Sequence, residues 1–147
     1  MRSKILTLLI LAATVPRCCP ATEPRPRVVA STLYFECRGE SREGQLAVAS
    51  VIWNRARRQG ITPEEVCIVP KQFSCNNGGV KVPQPENWKD RKALELFETI
   101  EVQMRLGIFQ PTTDADHFYN PTLCNPVWGR YMKNKQKIGN HLFGNCR

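Results

Sequence analysis

The chain has 147 residues, 41% of them hydrophobic and 23% charged, enough for one compact core and too little for two. Its formal net charge of +8 favours anionic polymers and surfaces as partners. The longest apolar run falls short of the roughly 20 residues that comfortably span a bilayer, which makes a permanent membrane span the weaker reading.

At the N-terminus Arg2 and Lys4 supply positive charge, residues 5–15 form an apolar run, and small residues follow near Ala21, the three parts of a secretory leader. Residues 1–21 are therefore expected to direct export to the periplasm or cell envelope and to be removed. An uncleaved anchor and lipid attachment at Cys18 or Cys19 are the alternatives, the second disfavoured by Pro16 and Arg17. Without Arg2, Lys4 and Arg17 the chain keeps 18 basic against 13 acidic residues, a charge of +5. Export makes nucleic acid the poorest of the anionic partners, and none is expected. Residues 22–27 alternate prolines with charges and read as an exposed lead-in, so the folded unit is expected over 28–147.

Apolar residues at helical spacing predict a helix over 28–38, stopped by Gly39, with Glu36 in its last turn. A second helix over 43–59, closed by Gly60, carries the nearly continuous apolar block around Leu46, Ala47, Val51 and Trp53 and is expected to be the central core helix. Thr62, Pro63 and Glu65 match a capping box with proline at the first helical position, predicting a short helix to about Ile68. Residues 71–84, with two asparagines, paired glycines and prolines, read as a long loop or small hairpin. A long amphipathic helix is predicted over 87–106, with Leu94, Phe97, Ile100 and Met104 on one face and Gly107 at its end. From residue 108 onward the chain reads as irregular or β-like, with a basic stretch over 130–137. The fold class is α+β: a mainly helical single domain with a small β or irregular part, expected to be a monomer.

Of the seven cysteines, Cys37, Cys67, Cys75, Cys124 and Cys146 lie outside the leader. In an oxidising compartment four of them allow two disulfides. Cys37, in an apolar helical context, is the one left as a buried thiol, and the pairing of Cys67, Cys75, Cys124 and Cys146 stays open. A zinc site is the competing reading, although no C-x-x-C occurs in this region.

Glu36 has large apolar neighbours, a setting that favours the neutral carboxyl and tunes a glutamate to act as an acid near neutral pH; the plainer reading is a solvated helix-end residue. Glu40, one turn on, is expected to pair with an arginine or to cap the next helix. His117 and His141 are the only histidines. With Glu36 they could compose a two-histidine, one-carboxylate zinc site, but each stands alone among aromatics, and a structural or substrate-contacting role is the expectation. Phe73, Phe118, Tyr119, Trp128 and Tyr131 could line a sugar-binding cleft or build core. Phe118 and Trp128 are expected to be buried and Tyr119 exposed.

Taken together, residues 34–40 (YFECRGE), 44–55 (GQLAVASVIWNR), 72–74 (QFS), 115–119 (ADHFY), 126–128 (PVW) and 138–143 (IGNHLF) resemble, in order, the cell wall hydrolase family typified by the spore cortex-lytic enzymes. The resemblance implies a compact lysozyme-like or transglycosylase-like catalytic domain acting on peptidoglycan glycan strands. It implies that Glu36 is the catalytic carboxylate and that Gln45, Asn54, Gln72, Phe73, His117 and Tyr119 shape or line the substrate groove. Cys37 stands where many members carry alanine, and no peptidoglycan-binding repeat precedes the domain, which suits a bacterial envelope enzyme or a phage lysis protein better than a germination enzyme.

An ordinary glycosidase needs two carboxylates, whereas a lytic transglycosylase needs one, because the C6 hydroxyl of muramic acid is the nucleophile. With one well-placed glutamate in the sequence, the expected reaction is cleavage of the MurNAc-GlcNAc β-1,4 bond to a 1,6-anhydromuramoyl product. No residue pattern calls for a cofactor or a metal. A lysozyme-like hydrolase of the same bond, a zinc-dependent amidase and a non-catalytic wall-binding module are the alternatives.

Overall fold

The computed structural model describes residues 27–146, so the leader expected over 1–21 lies outside the described residues. Helix α1 (Val28–Cys37) starts without a side-chain cap of its own, because Arg27 stands at the capping position. Its orphan Ala30 N–H instead donates to Glu101 Oε2 at 2.9 Å, a carboxylate delivered by α4 (Trp88–Arg105) from 71 residues away. Glu101 also receives Arg105 Nη2 at 2.5 Å, and Arg105 Nε reaches Glu64 at 2.7 Å in α3 (Pro63–Ile68). One buried carboxylate thus ties three helices together. Arg27 itself pairs with Glu98 of α4.

Helix α2 (Arg42–Gln59) is capped by Ser41, whose Oγ accepts from Gly44 N–H, and ends at Gly60 in the left-handed region with φ 67°. It is the core helix the sequence predicts: Ala47, Val48, Ala49, Val51 and Ile52 are fully buried. Val29 and Leu33 of α1 are equally buried, and each stabilises the fold by about 1.5–3 kcal/mol. Phe97, Ile100 and Met104 close the core from α4, with Leu94 partly buried beside them. The capping box at Thr62 and Glu65 forms as read.

The C-terminal third, expected to be irregular or β-like, contains an antiparallel sheet of β1 (His117–Tyr119), β2 (Lys133–Ile138) and β3 (His141–Asn145) in the order β1-β3-β2. The central strand pairs Phe143 with Phe118 on one side and Leu142 with Lys137 on the other. Phe143 is fully buried and joins the sheet to the helical core. The basic stretch is edge strand β2, exposed everywhere except Ile138 and slipped in register between Lys133 and Gln136, where Asn134 takes φ 52°. Lysines on an edge strand discourage pairing with another chain.

Two expectations are corrected. Trp128 is 38% exposed rather than buried, and Phe118 and Tyr119 are both half-buried, because the three-residue strand β1 lies against Trp128 at the rim instead of inside the core. Neither expected disulfide forms: Cys67, Cys75, Cys124 and Cys146 are free thiols, as is Cys37, whose Sγ lies 3.2 Å from Leu33 O.

Candidate active site

Two stapled segments build the site. The loop over 71–84 is fastened along α1: Ser31 Oγ donates to Lys81 O, Tyr34 Oη donates to Gln84 O, and Asn76 Nδ2 donates to both Thr32 Oγ1 and Cys67 O. Thr32 and Glu36 share a helix face one turn apart. The same docking that sets Asn76 on Thr32 therefore sets Cys75 on Glu36, and the Cys75 thiol and backbone N–H both donate to the carboxylate. On the other side, polar residues of α2 hold the segment leading into β1. Asn54 Nδ2 donates to Thr113 O and Ala115 O at 2.8 and 2.9 Å, Arg55 Nε donates to Asp116 O at 2.6 Å, and Arg58 pairs with Asp116 at 2.6 Å.

Between them opens a cleft of about 570 Å³. Glu36, Arg55, Gln72, Phe73, His117, Tyr119, Trp128 and His141 are among the residues that line it. Among the described residues Glu36 is the one carboxylate that lines it. Burial raises the pKa of Glu36, opposed by the Cys75 thiol, by His141, by the Cys75 N–H and by Arg55. The proton on this group is thus held to higher pH than on a solvated glutamate. Burial pushes the Cys75 thiol up to about 12, so it remains a donor.

Arg55 is a deeply placed cation whose own pKa burial lowers against the pull of Asp116; its Nη1 donates to Gln72 Oε1 at 2.5 Å and its guanidinium lies 5.6 Å from the Phe73 ring centre. His117 Nδ1 sits 2.8 Å from Asp116 Oδ1, and its ring stacks obliquely on Trp128 at 5.1 Å. Burial would raise Asp116, but the His117 ring, the Cys146 N–H and Arg58 together hold its carboxyl below the ordinary range. Asp116 is therefore a stable anion and orients His117. His141, 8% exposed, lies edge-on to Phe118, with Nδ1 3.6 Å from Glu40 Oε1.

Glu40 departs from expectation, since it neither pairs with an arginine nor caps α2. Ser41 is the cap, and the Glu40 carboxylate accepts from Asn140 N and Nδ2 at 3.2 and 3.0 Å. Gly139 makes that approach possible: φ is 58°, and a Cβ there would stand 2.6 Å from Glu40 Oε2.

Four of the six residues expected to shape the groove, Gln72, Phe73, His117 and Tyr119, line the cleft with Glu36. Asn54 and Gln45 do not. Asn54 buttresses the 113–115 segment from behind, and Gln45 Nε2 donates to Arg38 O on the wall of a separate depression. Sequence reading missed Arg55, which entered only as the last residue of the 44–55 block, and Cys75, which looked like half of a disulfide. No group of three or more His, Cys, Asp or Glu side chains among the described residues is placed to hold a metal ion.

The cell wall hydrolase family model matches residues 39–144. The chain belongs to the cell wall hydrolase family. That match begins three residues after Glu36. The spore cortex-lytic enzyme of Bacillus subtilis is 31% identical over 122 residues, covering 80% of this chain and 36% of that protein. That of Oceanobacillus iheyensis is 31% identical over 120 residues, covering 80% and 40%. The chain thus spans well under half the length of these relatives. Among solved structures, the catalytic domain of the germination-specific lytic transglycosylase SleB from Bacillus anthracis superposes with a TM-score of 0.60 at 27% identity, covering 86% of this chain and 99% of that one. The Bacillus cereus SleB catalytic domain gives 0.58 at 28% identity, covering 80% and 87%. The mainly helical, lysozyme-like fold with a small sheet is the fold of these catalytic domains.

Proposed function

We propose that this cell wall hydrolase is a lytic transglycosylase that cleaves the MurNAc-GlcNAc β-1,4 bond of peptidoglycan, with Glu36 as its acid and base. The observation that carries the reading is the single carboxylate that lines the cleft among the described residues, half-buried and with its pKa raised by burial. Protonated Glu36 gives its proton to the glycosidic oxygen as the bond to the muramic C1 breaks, and GlcNAc leaves with a free 4-hydroxyl. The muramic C6 hydroxyl then attacks C1 and returns its proton to the Glu36 carboxylate, closing the 1,6-anhydro ring without consuming water. The kinship to a lytic transglycosylase catalytic domain supports the same chemistry.

Within this reading His117, Tyr119 and Trp128 offer aromatic faces to pyranose rings, Phe73, 3% exposed, backs the cleft from the core, and Gln72, oriented by Arg55, offers an amide to the sugar hydroxyls. Residues 28–147 form the catalytic unit, and residues 1–21 serve as the export leader that delivers it to the envelope. No helix among the described residues is long and apolar enough to cross a membrane.

Mass spectrometry of muropeptides released from purified sacculi tests the proposal, with Glu36→Gln and a chelator as controls. Anhydro-muropeptides that vanish in the variant and survive chelation are expected. Reducing-end sugars would mean hydrolysis, and freed stem peptides an amidase.

A further inference from the structure

A second depression of about 430 Å³, lined in part by Glu40, lies between the end of α1, the start of α2 and the first turns of α4. Ala93 and Leu96 contribute apolar lining, and Trp88 stands at its edge, 62% exposed, with Lys89 Nζ 5.8 Å from its ring centre. Four cations line it, Arg38, Arg42, Lys89 and Lys92, against two carboxylates that are already engaged. Glu40 is held by Asn140, while Asp90 receives Asn87 Nδ2 and lies 3.9 Å from Arg38. Arg42 and Lys92 pair with no carboxylate among the described residues. Gln45, 7% exposed, lines the same depression and spends its Nε2 on Arg38 O.

An exposed indole beside unpaired cations in a concavity suits a ligand that has apolar or planar parts and several carboxylates. Resting on the proposed function above, we propose that this depression is a subsite for the acidic stem peptide of peptidoglycan, with Trp88 as its platform and Arg42 and Lys92 as its carboxylate partners. The charge of the polymer selects the peptide over the glycan. In a peptide-bearing strand the lactyl carboxyl of muramic acid is consumed in the amide to the stem, so the free carboxylates sit on the peptide. Position agrees, since Arg38, Gly39 and Glu40, which line the depression, follow within four residues of Glu36, and the stem hangs from the sugar whose bond Glu36 protonates.

The test compares the wild type with Arg42→Gln/Lys92→Gln on intact sacculi and on glycan strands stripped of peptide by an amidase. Screened, exposed pairs set the scale, so the expected result is a KM raised about fivefold on peptide-bearing substrate, with kcat kept and no change on stripped strands. An equal change on both substrates, or on neither, overturns the subsite. If the wild type cuts neither substrate, the transglycosylase reading fails, and the subsite is judged separately. A soluble stem tetrapeptide titrated into the full-length protein should then change tryptophan fluorescence, and the change should be lost in Trp88→Phe and weakened in Arg42→Gln/Lys92→Gln. No response in the wild type, or the same response in all three, overturns it.

Discussion

Glu36 works through its surroundings, and those surroundings make it testable. Glu36→Gln keeps size and hydrogen bonding but carries no transferable proton. Release of anhydro-muropeptides should fall by about 10²–10⁴, with the urea midpoint close to wild type. In the proposed mechanism the acid form starts the reaction, so activity should decline on the alkaline side as Glu36 deprotonates, with that limb above the ordinary glutamate value of 4.5 because burial raises the group. The Cys75 thiol opposes burial by donating to the charged form. Cys75→Ala should move the alkaline limb to still higher pH, while Cys75→Ser, which keeps a donor, should leave it near wild type; a limb unmoved by alanine would show the thiol is not a donor in solution. The carboxylate itself was legible because its apolar neighbours stand beside it in the sequence. Its tuners were not, since Cys75 lies 39 residues away and reaches Glu36 only because Asn76 hydrogen-bonds Thr32.

At the level of elements, local signals specified the helices and failed for the sheet. The capping box at Thr62 and the apolar blocks of α1, α2 and α4 are short-range patterns and appear where read, whereas the cap of α2 is Ser41 and not Glu40. Strand β2 carries no alternating apolar face, because it is an edge strand with a slipped register and one buried residue, Ile138, so a lysine-rich strand looked like a solvated charge run. The start of α1 was equally unreadable, since Glu101 comes from another helix. Glu101→Ala should cost about 2 kcal/mol in urea unfolding by leaving the Ala30 N–H buried without a partner, and Glu101→Gln less, because its amide oxygen still accepts. Burial raises the Glu101 pKa above 4.5, so its stabilising contribution is complete below that value and is lost as pH rises through the folded pKa. The margin of wild type over Glu101→Gln should therefore shrink from acidic to neutral pH. Gly139→Ala meets both a left-handed backbone and the Glu40 carboxylate. It should lower activity, by displacing Asn140 and the neighbouring His141, while costing about 1–3 kcal/mol of stability.

For the molecule as a whole, net charge and an edge strand carrying Lys133, Lys135 and Lys137 predict adhesion to an anionic wall that weakens with salt. Co-sedimentation with sacculi should decrease as ionic strength rises, and replacing the three lysines with glutamine should flatten that dependence without altering the alkaline limb set by Glu36. The cleft also draws its parts from opposite ends of the chain: Glu36 lies on the first helix, His141 begins the last strand, and Glu40 meets Asn140 across 100 residues. A polypeptide leaves the ribosome N-terminus first, so the acid is synthesised long before the wall it faces. A nascent chain therefore has no finished cleft, and the pocket around Glu36 exists only once the C-terminal strand has folded back onto the first helix.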